Sequence, residues 1–238
     1  DYKSLNNICL SNEPQFHADM FPDFYSDDWH EFLKERYGSI ETLNLAYGEN
    51  FSDFSEIGMD AESSQPAKVY DNKVFNDIVT AQWHMWMADI IHEIAPDIPL
   101  HSKIMEYTYP SSQYVLDYGV GYEHYYEKFA INGNDASRYY LNDTREDFVK
   151  SMWYDYMTSI KSAPVFNSED HVIPDYDQTF TKGVTEEVKK FLAQDIYQGA
   201  IHGRSMSAIW VWDRIYSKND ARYGSILERP DANQPTYI

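Results

Sequence analysis

The chain has a single cysteine among its 238 residues. One thiol excludes an internal disulfide and a cysteine-held metal cluster. Cys9 sits in the apolar run Leu5–Ser11, where a buried, inert thiol is expected. No apolar stretch approaches the roughly 20 residues of a membrane-spanning helix. Positive charge is scarce as well: 19 Lys and Arg face 39 Asp and Glu, a formal charge of −20. Such a field repels phosphate backbones and anionic lipid surfaces, which argues against a nucleic-acid or membrane-surface partner. A glycine-rich phosphate loop is missing, because Gly119-Val120-Gly121 does not follow a suitable strand. His84, His92 and His101 do not form a zinc helix motif: no second His follows His92-Glu93 at the required spacing, and Pro96 ends that helix. No metal is therefore expected. The chain opens on Asp1-Tyr2-Lys3 without an initiator Met or a signal-peptide pattern, the start expected of a processed or trimmed chain. Export, to the periplasm or the cell exterior, stays open.

What is abundant is aromatic. Tyr 21, Phe 12 and Trp 6 make up 16% of the chain, and 43% of residues are hydrophobic. An acidic disordered chain would lack those rings, so the chain must fold around a sizeable core. Mean hydropathy is −0.61, so many rings must lie half-exposed. Asn50-Phe51-Ser52 and Asn142-Asp143-Thr144 match the glycosylation sequon, a pattern common by chance.

Apolar runs alternate with helical periodicities. Leu5–Ser11 reads as a strand ended by Asn12-Glu13-Pro14, since Pro14 cannot continue a ladder. Ser26-Asp27-Asp28 signals a helix start, with Trp29, Phe32, Leu33 and Tyr37 at helical spacing and Gly38 as the stop. Ser39–Thr42 caps a second short helix that Gly48 ends, and residues 51–70 read as irregular. The longest helical pattern runs from Asp71 to Ala95. Leu100–Met105 reads as a strand, and 112–118 as a short helix. A strand is expected near Lys128–Ile131, with Asn132-Gly133-Asn134-Asp135 as its loop. Thr144–Lys161 and Thr185–Ile201 read as helices, Ala163–Asn167 and Arg204–Trp212 as strands. Strands separated by long helices, with no obvious hairpins, indicate α/β architecture with a parallel sheet. No repeat or linker divides the chain, so one domain over 1–238 is the simplest organisation. Trp83, Trp86 and Trp153 fall within helices and are expected to pack there.

In parallel sheets ligands bind at the carboxyl ends of the strands. Glu13, Glu106, Asp135, Glu169 and Asp213 follow or adjoin such ends. A carboxylate there is by default a solvated loop residue or a helix N-terminal charge. Two that face each other can divide the work of glycoside cleavage: one donates a proton to the leaving oxygen, the other attacks or stabilises the sugar cation. Beside Glu13, Asn12 can hydrogen-bond a sugar hydroxyl or its own loop, and Pro14 fixes the turn behind it.

Leu10-Ser11-Asn12-Glu13-Pro14 resembles the fourth-strand motif of the clan A retaining glycoside hydrolases, which are (β/α)8 barrels of TIM type. Val165-Phe166-Asn167-Ser168-Glu169 resembles their seventh strand and Ile209-Trp210-Val211-Trp212 their eighth. The run Trp29, Phe32-Leu33, Tyr37-Gly38-Ser39-Ile40, Leu43-Asn44, Tyr47-Gly48 is similar to a segment of family 42-like β-galactosidases that also follows the acid/base strand. The resemblance implies that Glu13 is the general acid/base and Glu169 the nucleophile, with no metal or organic cofactor. Asn12, His17, Tyr107, His171 and Trp210 are then the candidate substrate-binding residues, and the substrate is an oligo- or polysaccharide. The resemblance covers strands four to eight, the C-terminal part of a barrel. Five strands cannot close an eight-stranded barrel, so a missing N-terminal half or a partner chain is expected. The competing reading is a non-catalytic carbohydrate-binding or structural half-barrel.

Overall fold

A computed structural model describes residues 5–105, 121, 124–125, 129–136, 144–170 and 186–209. Five strands, β1 (Ile8–Asn12), β2 (Leu100–Met105), β3 (Asn132–Asp135), β4 (Val165–Asp170) and β5 (Arg204–Ile209), form one sheet in sequence order. Every neighbouring pair is parallel. The helices are α1 (Pro22–Tyr37), α2 (Ile40–Tyr47), α3 (Pro66–Ile94), α4 (Thr144–Ile160) and α5 (Glu186–Ile201). This is the α/β order of consecutive units of a (β/α)8 barrel. The chain divides into two compact units. The first holds residues 1–13, 95–106 and 128–238, and with them the whole sheet; the second holds 14–94 and 107–127.

In the first unit, β3 replaces an expected loop. Asn-Gly-Asn-Asp has turn chemistry, yet Asn132–Asp135 is a fully buried strand and the expected strand at 128–131 lies just before it. Tertiary partners override the local preference. Asn132 Nδ2 donates to the carbonyls of Met157, Lys161 and Ala163 at the end of α4, at 3.0–3.4 Å. Asn134 Nδ2 donates to Phe166 O at 3.1 Å. A Cβ built at Gly133 would overlap the His101 ring and the Ser102 carbonyl oxygen, so only glycine fits beside β2.

Behind the sheet, α4 and α5 are tied to β4 and β5 by a buried charge network. Lys150 Nζ donates to Asp170 at 2.8 Å and to Asp195 at 3.0 Å. Arg204 pairs with the same two carboxylates, and Ser207 Oγ donates to Asp170. Two cations and two anions balance, as burial demands. Burial alone would lower the Lys150 pKa, but the charges of Asp170 and Asp195 reverse it and hold the ammonium above its ordinary value.

The second unit has its own core: Ala18, Trp29, Leu33, Leu43, Phe54, Ile57, Met59 and Phe75. Helix α1 starts at Pro22, before the Ser26 signal, because proline at the first turn loses no hydrogen bond; Ser26 Oγ instead donates back to Pro22 O at 2.7 Å. Ser39 Oγ accepts from Thr42 N at 3.3 Å and caps α2 as expected. Buried Asp71 gathers the motif's two tyrosines: Tyr37 OH donates to it at 2.6 Å and Tyr47 OH at 2.8 Å, while Arg36 pairs with it at 2.7 Å. Burial, then the Asp71 hydrogen bond, pushes the Tyr37 pKa up to about 12. Of the helical tryptophans, Trp153 is buried, whereas Trp83 and Trp86 are exposed.

Candidate active site

Glu13 follows the last residue of β1, and its backbone is unusual. Its φ is +48°, a left-handed value that non-glycine residues rarely adopt. Two features hold it there. The pairing of β1 with β2 shifts register between Cys9 and Asn12, and Glu13 N donates to Lys103 O at 2.9 Å. The conformation turns the carboxylate toward Lys103, 3.5 Å from its Nζ. Cys9, earlier on β1, is exposed, not buried: β1 pairs on one side with β2 and is an edge of the sheet among the described residues.

Glu169 is the fifth residue of β4. The register between β4 and β5 shifts between Asn167 and Asp170, so strict alternation fails at this point. Asp170 turns back into the buried charge network, and Glu169 meets Lys103 Nζ in a short hydrogen bond. The Asn167 side chain accepts from Glu169 N at 3.3 Å and donates to Asp170 at 3.0 Å.

Lys103 joins the group together. It is the fourth residue of β2, almost fully buried, and it also lies 3.7 Å from Asp135 at the end of β3. Carboxylate oxygens of Glu13, Asp135 and Glu169 lie within 4.8 Å of one another. That spacing could bind a shared cation, and the ammonium of Lys103 supplies one. Burial pulls the Lys103 pKa down, but the hydrogen bond it donates to Glu169 and the charges of Asp135, Glu169 and Glu13 outweigh it, so the ammonium titrates above its ordinary value. The carboxylates at the rim differ in exposure: Asp135 is buried, Glu13 and Glu169 half-exposed.

Of the residues expected from sequence, Asn12 is the last residue of β1 and is exposed. His17 lies in the second unit, ahead of the short 3-10 turn Ala18–Met20, 3.9 Å from Asp19. Tyr107, His171 and Trp210, the expected helix at 112–118 and the Trp212 end of the last strand lie outside the described residues. Sequence reading passed over Lys103 as an ordinary strand residue. The signal was present: in Leu100-His101-Ser102-Lys103-Ile104-Met105 a lysine sits inside an apolar strand, and a charge there needs a partner.

Five parallel strands in sequence order, with acidic side chains gathered at their carboxyl ends, define a segment of a (β/α)8 barrel of the glycosidase type. Comparison with known families agrees. The model of glycoside hydrolase family 42, described as "Beta-galactosidase", matches residues 1–204, and the chain belongs to this family. An exo-beta-D-glucosaminidase of Pyrococcus horikoshii is 31% identical over 115 residues, 44% of this chain and 13% of that protein. Among solved structures, an exo-carrageenase of family 42 from Bacteroides ovatus aligns with TM-score 0.65 and 24% identity, over 84% of this chain and 29% of that one. A GH42 beta-galactosidase from G. stearothermophilus, Gan42B, aligns with TM-score 0.64 and 17% identity, over 87% and 32%. The chain thus spans about a third or less of the length of these relatives, and the structural matches establish the barrel fold.

Proposed function

We propose that this chain carries the catalytic carboxylate pair of a retaining β-glycosidase acting on terminal, β-galactoside-like sugars of an oligo- or polysaccharide. The observation that supports it is the approach of the Glu13 and Glu169 carboxylate oxygens to within 4.8 Å. Retaining enzymes hold the two carboxyl groups about 5–5.5 Å apart, whereas inverting ones need about 6.5–9.5 Å to admit a water. In the first step Glu13 donates its proton to the glycosidic oxygen as the bond to the anomeric carbon breaks. The Glu169 carboxylate bonds to that carbon on the opposite face. In the second step Glu13, now ionised, takes a proton from water, the water oxygen attacks, and the bond to Glu169 breaks. Lys103 places its positive charge against the Glu169 carboxylate. The names of the relatives, beta-galactosidases and an exo-beta-D-glucosaminidase, support a β-linked terminal sugar.

The test is hydrolysis of p-nitrophenyl β-galactoside and β-glucosaminide by the chain and by Glu13→Gln and Glu169→Gln. The expected result is a loss of at least about 10³-fold in both variants, with azide restoring turnover to Glu13→Gln on a substrate with a good leaving group. Full activity in either variant would refute the pair. A chain that binds glycan without any turnover would favour the non-catalytic reading instead.

A further inference from the structure

The exchange between Glu13 and Glu169 leaves two neighbours of the pair without a task, Lys103 and Asp135. The Lys103 side chain is only 4% exposed, and an ammonium so placed needs negative partners. Three are at hand. Its Nζ lies 3.5 Å from Glu13 and 3.7 Å from Asp135, and it donates to Glu169 in a short hydrogen bond. An ammonium has three N–H donors, one for each carboxylate. The strand register shows how one side chain serves three strands. Lys103 is level with Asn12, one residue short of Glu13, and Met105 is level with Asp135. The four-carbon stem of the lysine starts below the carboxyl ends of the strands and brings the ammonium up to them.

The charges of the proposed reaction, on which this inference rests, give the ammonium its task. Before the first step the pair carries one negative charge, on Glu169. After it the pair again carries one, on Glu13: the proton has left with the leaving group, and Glu169 is bonded to the anomeric carbon as a neutral ester. Lys103 reaches both carboxylates, so it can face the charge at either residue without leaving its place on β2. Asp135, 6% exposed, holds the ammonium from a third side. Without that ammonium, three carboxylates whose oxygens lie within 4.8 Å of one another would repel. We propose that Lys103 is the positioning residue of the pair. Anchored by Asp135, its ammonium holds Glu13 and Glu169 at their close approach and offsets the negative charge as it passes from one to the other.

The experiment measures two affinities and one rate on the 238-residue chain, on Lys103→Met and on Lys103→Arg. Calorimetry gives the affinities for neutral galactose and for 1-deoxygalactonojirimycin, a galactose mimic with a protonated ring nitrogen. Hydrolysis of p-nitrophenyl β-galactoside gives the rate. Lys103→Met leaves the carboxylates without their cation, so it should bind the iminosugar cation about tenfold more tightly and galactose no more tightly. Its kcat should fall about 10²-fold while KM changes less than about threefold. Lys103→Arg keeps the charge and should bind the iminosugar within about threefold of the parent chain, with a kcat above that of Lys103→Met. A packing role alone would weaken both ligands together. Should Lys103→Met lose its fold by circular dichroism, Asp135→Asn serves in its place. With one anion fewer around the ammonium, it should bind the iminosugar about tenfold more weakly and galactose as the parent does. The proposal is overturned if the folded variant changes both affinities alike or neither, or if Lys103→Met turns over like the parent. A parent chain that binds neither ligand, or turnover that survives Glu13→Gln and Glu169→Gln, would instead remove the glycosidase reading beneath it.

Discussion

At the scale of the residue, Glu13 combines the proposed acid/base role with strain. A left-handed backbone costs a non-glycine residue about 1–2 kcal/mol, and such cost persists where the surroundings impose it for function. Here the β1 register shift and the amide bond to Lys103 O impose it. The cost is measurable without any substrate. Glu13→Gly and Glu13→Ala both remove the carboxylate, but only glycine relieves φ +48°. Glu13→Gly should therefore be more stable than Glu13→Ala by about 1 kcal/mol in urea unfolding. Equal stability, or the reverse order, would mean that the position is unstrained. That Glu13 stands at the carboxyl end of β1 was legible from the sequence, through Asn12-Glu13-Pro14 at the end of an apolar run. Lys103 was not, because a lysine within a strand announces a partner but not which one. Its partners come from β1, β3 and β4, far apart in sequence.

Elements were legible where they are long and periodic. Helices α2, α4 and α5 lie within a residue or two of their expected bounds, and α3 begins five residues earlier, at Pro66. The short strand β3 was misplaced because its four residues are turn formers whose strand state is set by contacts with α4, β2 and β4. The same contacts make a prediction. Gly133→Ala places a methyl group against His101 and the Ser102 carbonyl oxygen. Overpacking of this kind costs about 1–3 kcal/mol. Combining it with His101→Ala should return part of that loss, a positive coupling in a double-mutant cycle. An unperturbed Gly133→Ala variant would contradict the close approach of β2 and β3.

For the molecule as a whole, the parallel order was readable from the alternation of strands and helices, while the division into two units was not, since no composition shift marks it. Whole-molecule stability should show a pH signature. Burial pushes the His101 pKa down to about 4, and burial lowers that of His84 as well. An unfolded histidine titrates near 6.5. Above that pH His101 is neutral in both states and contributes no pH dependence. As pH falls from about 6.5 to 4, the unfolded chain takes up a proton that the folded one refuses, so stability drops. The share of His101 is of order 3 kcal/mol across this window. Urea midpoints should fall between those pH values, and less steeply in His101→Asn; an unchanged slope would show that His101 is not buried as described.

The central claim, that Glu169 is the nucleophile of a retaining glycosidase, is tested most directly by trapping the covalent intermediate. A 2-deoxy-2-fluoro-β-galactosyl fluoride slows the second step more than the first, so that the glycosyl-enzyme accumulates. Intact-mass and peptide mass spectrometry of the treated chain should find a single fluorosugar, bonded to Glu169 and absent in Glu169→Gln. A sugar on any other residue, or turnover of β-galactosides with inversion of configuration, would contradict the account.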